Sequence, residues 1–533
     1  MEAATPGAPR WHVPLLVLLG LPLFFYGLGS YSVVNGDEGY YHSVAARMVE
    51  TGNWFKLDYF GQHRVYDTFM NAPLQYWARA VLIAVFGDNL WTMRLLSASF
   101  GLLTVLAVYR LGEELDARSD RRTALFAALI QLTSFQFVYL HSARTGELDS
   151  IVACLITLTA LTFLRAVRNR SSFLPHHVCL AVLLTVKLPI LAIPILAELL
   201  YFATTPSARS EFKRYTLSGF AVVPLGLIWH MIQAGVLWED FLGVADKMRA
   251  EASGAKGGGD FSGGPLENVG WYARKLLFGA FPWSLAFLPA IGMSLAPAIR
   301  GSRETEGSAL RLLLLFTLVV WVFFACVSKR FSWYILPALP FMAVTTGWWF
   351  NLAAKKLGVA QSVLLAYVGA MFVGLSVPLT GLRPLIDRTP RISMELAYRD
   401  LQPLGTSLTV VAVLGLLALT IELVARKWPQ SGAQAAGRTL FAILLLFAAV
   451  RVAIPLGSLE NVSELEARFR RIEANRIEGR QVRYPIVIPE SMGYLRVQHY
   501  FGRSYHVERR SGGPAGAQLW ITGEKTPTGL ETE

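Results

Sequence analysis

Two adjacent carboxylates, Asp37 and Glu38, open the segment Asn35-Gly-Asp37-Glu38-Gly-Tyr-Tyr41 just beyond an apolar stretch. At a membrane surface such a pair could act as a general base or hold a cation within reach of a lipid headgroup. The spacing is met equally by an ordinary solvated loop. A third acid, Asp149, stands in His141-Ser-Ala-Arg144-Thr-Gly-Glu147-Leu-Asp149, at the start of a later apolar stretch. An ionised Asp at the centre of a span costs about 2.5–3.5 kcal/mol, so carboxylates near helix ends tend to have a partner or a task. Arg144 is the partner this spacing offers. Basic residues extend the pattern: Lys187 in Thr185-Val-Lys187-Leu-Pro189, and Lys329-Arg330 in Ser328-Lys-Arg-Phe-Ser-Trp-Tyr334. Lys point charges and Arg forks both suit a lipid phosphate, and both also serve as snorkelling anchors at helix ends. Arg64, Tyr66-Asp67 and Asn71-Ala-Pro73-Leu-Gln-Tyr76-Trp77 mix aromatic and polar side chains, as interface helices and sugar-binding loops both do.

These residues need elements to hold them, and the composition says which kind. Of 533 residues, 53% are hydrophobic and 16% charged, against roughly 25% charged in soluble domains. Apolar windows of about 20 residues recur from Val13 to Gly457, so the chain reads as an all-α polytopic membrane protein. Its net charge of +12 suits the positive-inside rule better than a nucleic-acid partner. About thirteen spans are expected: 13–33, 92–111, 123–140, 150–166, 173–187, 188–204, 216–236, 276–297, 310–327, 333–354, 360–381, 405–425 and 438–457. The first follows Arg10 without a small-residue cleavage site, which reads as an uncleaved helix. With the N-terminus cytoplasmic, alternate short loops carry Arg118, Arg121 and Arg122; Arg165, Arg168 and Arg170; Arg209, Lys213 and Arg214; Arg300 and Arg303; Lys355 and Lys356; and Arg426 and Lys427. Outer loops then fall at 34–91, 237–275 and 382–404, and Asp37, Asp149, Lys187 and Arg330 share the outer face.

Residues 1–457 are thus expected to form the membrane domain and 458–533 a small extracytoplasmic α/β domain. That tail is helical over 460–478, with strands near 482–488, 505–508 and 518–522. Gly254 to Gly264 reads as a flexible loop or spacer. The three cysteines, Cys154, Cys179 and Cys326, lie in apolar runs without metal spacing. There is no Walker loop, dinucleotide glycine pattern or zinc spacing. No cofactor is expected; a divalent cation is possible but has no sequence support.

In order along the chain stand Asp37-Glu38-x-x-Tyr41; Ala46-Arg-Met-Val-Glu-Thr-Gly-Asn-Trp54; Ala72-Pro73-Leu-x-Tyr76-Trp77; Arg94-Leu-Leu-Ser97; Arg144-x-x-x-x-Asp149; Lys187-x-Pro189; Phe281-Pro-Trp283; and Ser328-Lys-Arg-x-x-x-Tyr334-x-Leu-Pro337-x-Leu-Pro340. In these motifs the chain resembles the GT-C-fold glycosyltransferases that use polyprenyl-phosphate sugars. Within them it is most similar to the bacterial lipid A aminoarabinose transferases and the protein O-mannosyltransferase superfamily. The resemblance implies a multi-pass inner (plasma) membrane enzyme of the cell envelope that faces the periplasm or outside. Its partners would be a polyprenyl-phosphate-linked sugar, membrane lipid and a lipid, glycan or protein acceptor, with inversion at the anomeric carbon. A flippase for a lipid-linked saccharide is the alternative. Asp37, Glu38 and Asp149 are the candidate catalytic residues. Lys187, Arg330, Lys329, Arg144 and Arg64 are candidates for the donor phosphate, and Tyr41, Tyr66, Asp67, Asn71 and Tyr334 for other substrate contacts. Relatives usually carry an acid and a lysine before the Pro-Pro of the first loop, where this chain reads Phe69-Met-Asn71-Ala-Pro73. The phosphate role therefore passes to Lys187 and Arg330. The loop at 254–270 also lacks a His found in many relatives.

Overall fold

The computed structural model describes residues 11–116 and 121–236, apart from short breaks between 32 and 72, and most of 260–356. In the C-terminal part it describes 440–446, 464–478, 486–489, 505–510 and 518–524 with a few single residues. The expected spans at 360–381 and 405–425, the loop 382–404 and residues Arg64, Tyr66 and Asp67 lie outside the described residues, as does the side chain of Lys329.

The chain runs through α1 (His12–Phe25), α2 (Gly36–Thr51), the antiparallel pair β1 (Asp58–Tyr59) and β2 (Gln62–His63), α3 (Leu74–Phe86) and α4 (Leu90–Glu113). There follow α5 (Arg122–Leu132), α6 (Phe135–Tyr139), α7 (Asp149–Asn169), α8 (Leu174–Leu184), α9 (Ala192–Thr204), α10 (Phe212–Val222) and α11 (Ile228–Val236). Strand β3 (Asp260–Phe261), α12 (Pro265–Gly279), α13 (Ser284–Arg300), α14 (Thr305–Ala325), β4 (Lys329–Arg330) and α15 (Leu339–Lys356) complete this part. Among the described residues, four helical stretches are long and apolar enough to cross a membrane: Leu90–Glu113, Asp149–Asn169, Pro206–Gly235 and Glu306–Ala325. Shorter apolar helices pack beside them. Exposed Leu217, Phe220, Met231, Leu288 and Ile299 give the outside of the bundle an apolar surface, as lipid requires of a multi-pass membrane protein.

Local chemistry explains where the expected spans break. The stretch 123–140 divides into α5 and α6 at Thr133 and Ser134, whose hydroxyls donate back to Leu129 O at 2.6 Å and Ile130 O at 2.7 Å. Such back-bonding competes with the helix ladder. The stretch 276–297 divides into α12 and α13 because Pro282 supplies no N–H and blocks helix continuation. Next to it, buried Trp283 donates its indole N–H to Thr133 Oγ1 at 3.0 Å, which ties the two breaks together. The break expected at Lys187 is present as a turn and a 3-10 segment, Leu188–Leu191, ahead of α9.

Helix α7 sets the scale of the bundle. Asp149 sits in its first turn and Arg168 in its last, each at the end where its charge complements the helix dipole. Its 21 residues span about 30 Å, the thickness of a hydrocarbon core. At the Arg168 end, Arg165 meets Glu114 at 2.6 Å, and Arg214 donates to Arg170 O and Ser171 O. At the other end lie Asp37, Glu38, Arg94 and His141.

In the C-terminal part, α16 (Glu464–Ile477) accompanies an antiparallel sheet of β5 (Ile486–Pro489), β6 (Tyr505–Arg510) and β7 (Gln518–Glu524) in the order β5-β7-β6. Ile472, Ile488, Leu519 and Ile521 form an apolar cluster of their own there. Tyr500 joins this part to the segment ahead of Asp37, its hydroxyl accepting from Val33 N at 2.9 Å.

Helices α5 and α15 touch at backbone distance. A Cβ on Gly347 would lie 2.6 Å from Ala127 N and 2.8 Å from Thr123 O. Gly347→Val is therefore expected to lower stability by about 1–3 kcal/mol through overpacking. Thermal unfolding of the purified protein in detergent checks this, and an unchanged midpoint would show that the helices can part without cost.

Candidate active site

The site is built on a segment that is not helical. After α1 the chain turns through Tyr26–Tyr31, and its carbonyls find guanidinium partners instead of water. Arg94, fully buried on α4, donates Nη1 to Leu28 O at 2.7 Å and to Tyr31 O at 2.8 Å, and its guanidinium lies 3.8 Å from the centre of the Tyr31 ring. Arg144, also fully buried, donates to Leu23 O at 2.6 Å and Tyr26 O at 2.7 Å. The Tyr31 hydroxyl donates to Arg144 O, so the two anchors are joined.

This turn delivers Asp37 and Glu38 into the first turn of α2, where unpaired N–H groups favour negative charge. The two acids then diverge. Glu38 is fully buried and bridges Arg94 Nε and Nη2 at 3.1 Å each, while its Oε2 also accepts from Gly146 N at 2.7 Å. Gly146 has to be glycine for this approach, since a Cβ there would fall 2.9 Å from Glu38 Cβ and 3.1 Å from Met93 O. Asp37 points the other way, and its side chain is 45% exposed.

Between α6 and α7 the segment 140–148 brings His141 against these acids, in a left-handed conformation with φ 56°. Its Nδ1 lies 2.7 Å from Asp149 Oδ2, its Nε2 lies 3.2 Å from Asp37 Oδ2, and Glu147 Oε1 stands 4.0 Å from Nε2. An ionised carboxylate only accepts, so a ring that serves both acids in their ionised form carries a proton on each nitrogen, as an imidazolium. Burial by itself would lower the His141 pKa, but Glu147, Asp149 and Asp37 together carry it up to about 10. The Glu147 carbonyl is fixed in turn by Ser97 Oγ at 2.5 Å and by Nη2 of buried Arg79 at 3.2 Å. Above the imidazole lies the indole of Trp333, 4.1 Å between ring centres and 4° from parallel.

Sequence-predicted residues therefore separate into groups. Asp37 and Asp149 meet on one imidazole, and Glu38 sits behind Asp37 as the partner of Arg94. Arg144 departs from both roles expected of it: it neither pairs with Asp149 nor faces an open phosphate site, because its terminal nitrogens hold the end of α1. Arg330 donates to Glu267 Oε1 at 2.7 Å and lies over Trp271, while its buried Nε has no partner among the described residues. Backbone pairing of Arg330 with Asp260 and of Lys329 with Phe261 makes the β3–β4 ladder. Lys187 is half-buried at the turn after α8, and among the described residues its side chain makes no hydrogen bond or ion pair. The adjoining Thr185 O accepts from Leu74 N at 3.2 Å, which brings the turn of Lys187 beside the start of α3 that follows Asn71. Tyr41 is buried edge-on against Tyr76, and Tyr334 is half-buried against Phe324. His141, Glu147, Arg94, Arg79 and Trp333 were not among the site candidates named from sequence, although Arg94, His141 and Glu147 stand within the quoted motifs. The available signal was a basic residue inside an apolar window, as with Arg79 and Arg94, where a charge is costly unless paired. Among the described residues, no group of three or more His, Cys, Asp or Glu side chains is arranged to hold a metal ion.

Two outcomes follow from this geometry. Removing one partner of a buried ion pair leaves the other uncompensated, so Arg94→Met is expected to cost about 3–5 kcal/mol of stability. Thermal or denaturant unfolding measures it, and a loss within about 0.5 kcal/mol, as at an ordinary surface site, would contradict the clamp. The His141 pKa is raised from 6.5 to about 10, so its stabilisation is complete below pH 6.5 and is lost as pH rises through about 10. The stability gap between the wild type and His141→Gln should accordingly shrink across that window. A gap that widens with pH would reverse the sign of the assignment.

The Dolichyl-phosphate-mannose-protein mannosyltransferase family matches residues 70–232, under a third of the chain. The Undecaprenyl phosphate-alpha-4-amino-4-deoxy-L-arabinose arabinosyl transferase 1 of Pseudomonas fluorescens strain Pf-5 is 26% identical over 391 residues, 71% of this chain and 65% of that protein. The protein of the same name from strain Pf0-1 is 24% identical over 414 residues, 74% of this chain and 68% of that one. The match thus spans about two thirds of each relative's length, just under that share for the first. Among solved structures, ArnT from Cupriavidus metallidurans bound to undecaprenyl phosphate superposes with a TM-score of 0.65 at 18% identity, covering 93% of this chain and 85% of that one. Its apo state gives 0.63 over 92% and 84%. The chain shares the GT-C fold of ArnT and resembles in sequence the glycosyltransferases that use polyprenyl-phosphate sugars.

Proposed function

We propose that this chain is a glycosyltransferase of the inner (plasma) membrane, moving a sugar from a polyprenyl-phosphate donor to an acceptor at the extracytoplasmic face, with inversion. One observation carries the reading: of the four carboxylates gathered around Arg94 and His141, only Asp37 is open, 45% exposed against 6% or less for Glu38, Glu147 and Asp149. The imidazolium of His141 favours the ionised form of Asp37 and aims it. Asp37 then takes the proton of the acceptor hydroxyl. The acceptor oxygen forms its bond to the anomeric carbon as the bond from that carbon to the phosphate oxygen breaks, and polyprenyl phosphate leaves with the electron pair. Asp149 orients His141, and Glu38 fixes the loop through Arg94. Lys187 offers a cation without a protein partner among the described residues, suited to the charge that develops on the leaving phosphate. Arg330, whose buried Nε has no partner among the described residues, is the second candidate.

The names of the relatives support undecaprenyl phosphate as carrier and an amino-pentose as the class of sugar, and the ArnT complex supports the same carrier. A lipid reaching the site from the membrane is the preferred acceptor. Residues 458–533 are read as a small extracytoplasmic domain on the same side, for which the contact of Tyr500 with Val33 gives support. A saccharide transporter calls for ionisable groups near mid-membrane, whereas these clusters lie at helix ends.

The test is transfer of labelled sugar from undecaprenyl phosphate in membranes or nanodiscs. Asp37→Asn is expected to lose about 10²–10⁴-fold in kcat. Lys187→Ala should raise the donor KM or lower kcat by about tenfold or more. Full activity in both Asp37→Asn and Asp149→Asn would remove the assignment.

A further inference from the structure

His141 is held from more than its edges. Its two nitrogens are taken by Asp37 and Asp149, and those contacts leave the ring free to tilt about the line between them. The face is set by Trp333, stacked at 4.1 Å and 4°. The column continues, since Phe331 stacks on Trp333 at 4.5 Å and 16°. The column has its own anchor in the bundle: Ser332 O, between those two rings, accepts from Gln136 Nε2 of α6 at 2.9 Å. Gln136 is itself five residues before His141, so α6 anchors both sides of the stack. A π face directly against an imidazolium stabilises the charge and restricts tilt of the ring. A tilt about that line would turn the N–H donors away from the lone-pair directions of the carboxylate oxygens.

We propose that Trp333 is a positioning residue for glycosyl transfer, its indole face keeping the His141 imidazolium in the plane that bridges Asp37 and Asp149. The inference rests on the assignment of Asp37 as the base. Trp333 does not touch the reacting atoms in this account; it acts through His141. The charged or titratable groups facing His141 are Asp37 from α2, and Glu147 and Asp149 from its own segment and the start of α7. The stacked segment presents aromatic rings to it, with Arg330 turned to Glu267.

The experiment follows the full-length protein in nanodiscs by two readouts. One is the NMR titration of the His141 imidazole, assigned by its loss in His141→Gln. The other is the pH profile of transfer from undecaprenyl-phosphate-linked sugar. In Trp333→Leu the titration midpoint is expected to fall by about one unit, the desolvated cation–π share. The alkaline limb of kcat should move with it, and kcat at neutral pH should fall about tenfold while the donor KM stays within about twofold. Trp333→Phe, which keeps a π face, should recover most of both. A midpoint and a pH profile unchanged in Trp333→Leu would overturn the proposal. If that variant does not fold, Trp333→Met carries the same expectation and the same contrary result. The two readings fail separately: a wild type without transfer removes the proposed function and with it the catalytic part of this inference, while an unchanged His141 titration in Trp333→Leu overturns the inference with the proposed function intact.

Discussion

Everything at the candidate site hangs from one buried ion pair, Glu38 with Arg94. Both side chains are fully buried, which leaves each dependent on the other, because either charge alone in that environment costs several kcal/mol. The pair also ties separate pieces of chain. Arg94 takes the carbonyls of Leu28 and Tyr31 from the turn after α1, and Glu38 takes the amide of Gly146 from the segment before α7. Asp37 is the neighbour of Glu38, and Asp149 lies three residues after Gly146. The spacing between the exposed Asp37 carboxylate and the His141 ring is thus set by an ion pair buried behind them.

Buried arginines repeat this device elsewhere in the fold. Arg144 caps the carbonyls of Leu23 and Tyr26, and Arg79 those of Met93 and Glu147. Arg311 caps Ala298, Ile299 and Thr204 where α13 and α9 end. Leu23, Thr204, Ala298 and Ile299 lie in last turns of helices, which leave carbonyls without intrahelical partners, and in a bundle surrounded by lipid there is little water to satisfy them. A guanidinium with five donors meets several at once. The described backbone around the site accordingly has partners at Leu28, Tyr31, Arg144 and Gly146, as a preorganised site requires.

Much of this was legible in the sequence. Apolar windows and alternating basic loops located α4, α7 and α14, and the acids Asp37 and Asp149 stood out as charges at helix ends. What escaped was pairing across the chain. Nothing in local spacing says that Asp149 turns to His141, eight residues back, and not to Arg144, five residues back, because that choice depends on Arg144 being drawn to the end of α1, 121 residues away. Arg94 met Glu38 over 56 residues for the same reason. Trp333 was invisible as a site residue, since an aromatic in a membrane-facing segment is ordinarily an interface anchor. Breaks inside expected spans at Thr133 and Pro282 were readable in principle from back-bonding hydroxyls and proline, but hydropathy averages over them.

The central claim is single-displacement transfer of a sugar from a polyprenyl-phosphate carrier, with Asp37 as the base. The most direct measurement is NMR of the product's anomeric centre, taken together with the amount of free polyprenyl phosphate released by the purified protein in nanodiscs. The account predicts one carrier phosphate freed per sugar transferred and inverted configuration at the anomeric carbon. Retained configuration, or an intact lipid-linked sugar moved across the bilayer with no carrier phosphate freed, would contradict it.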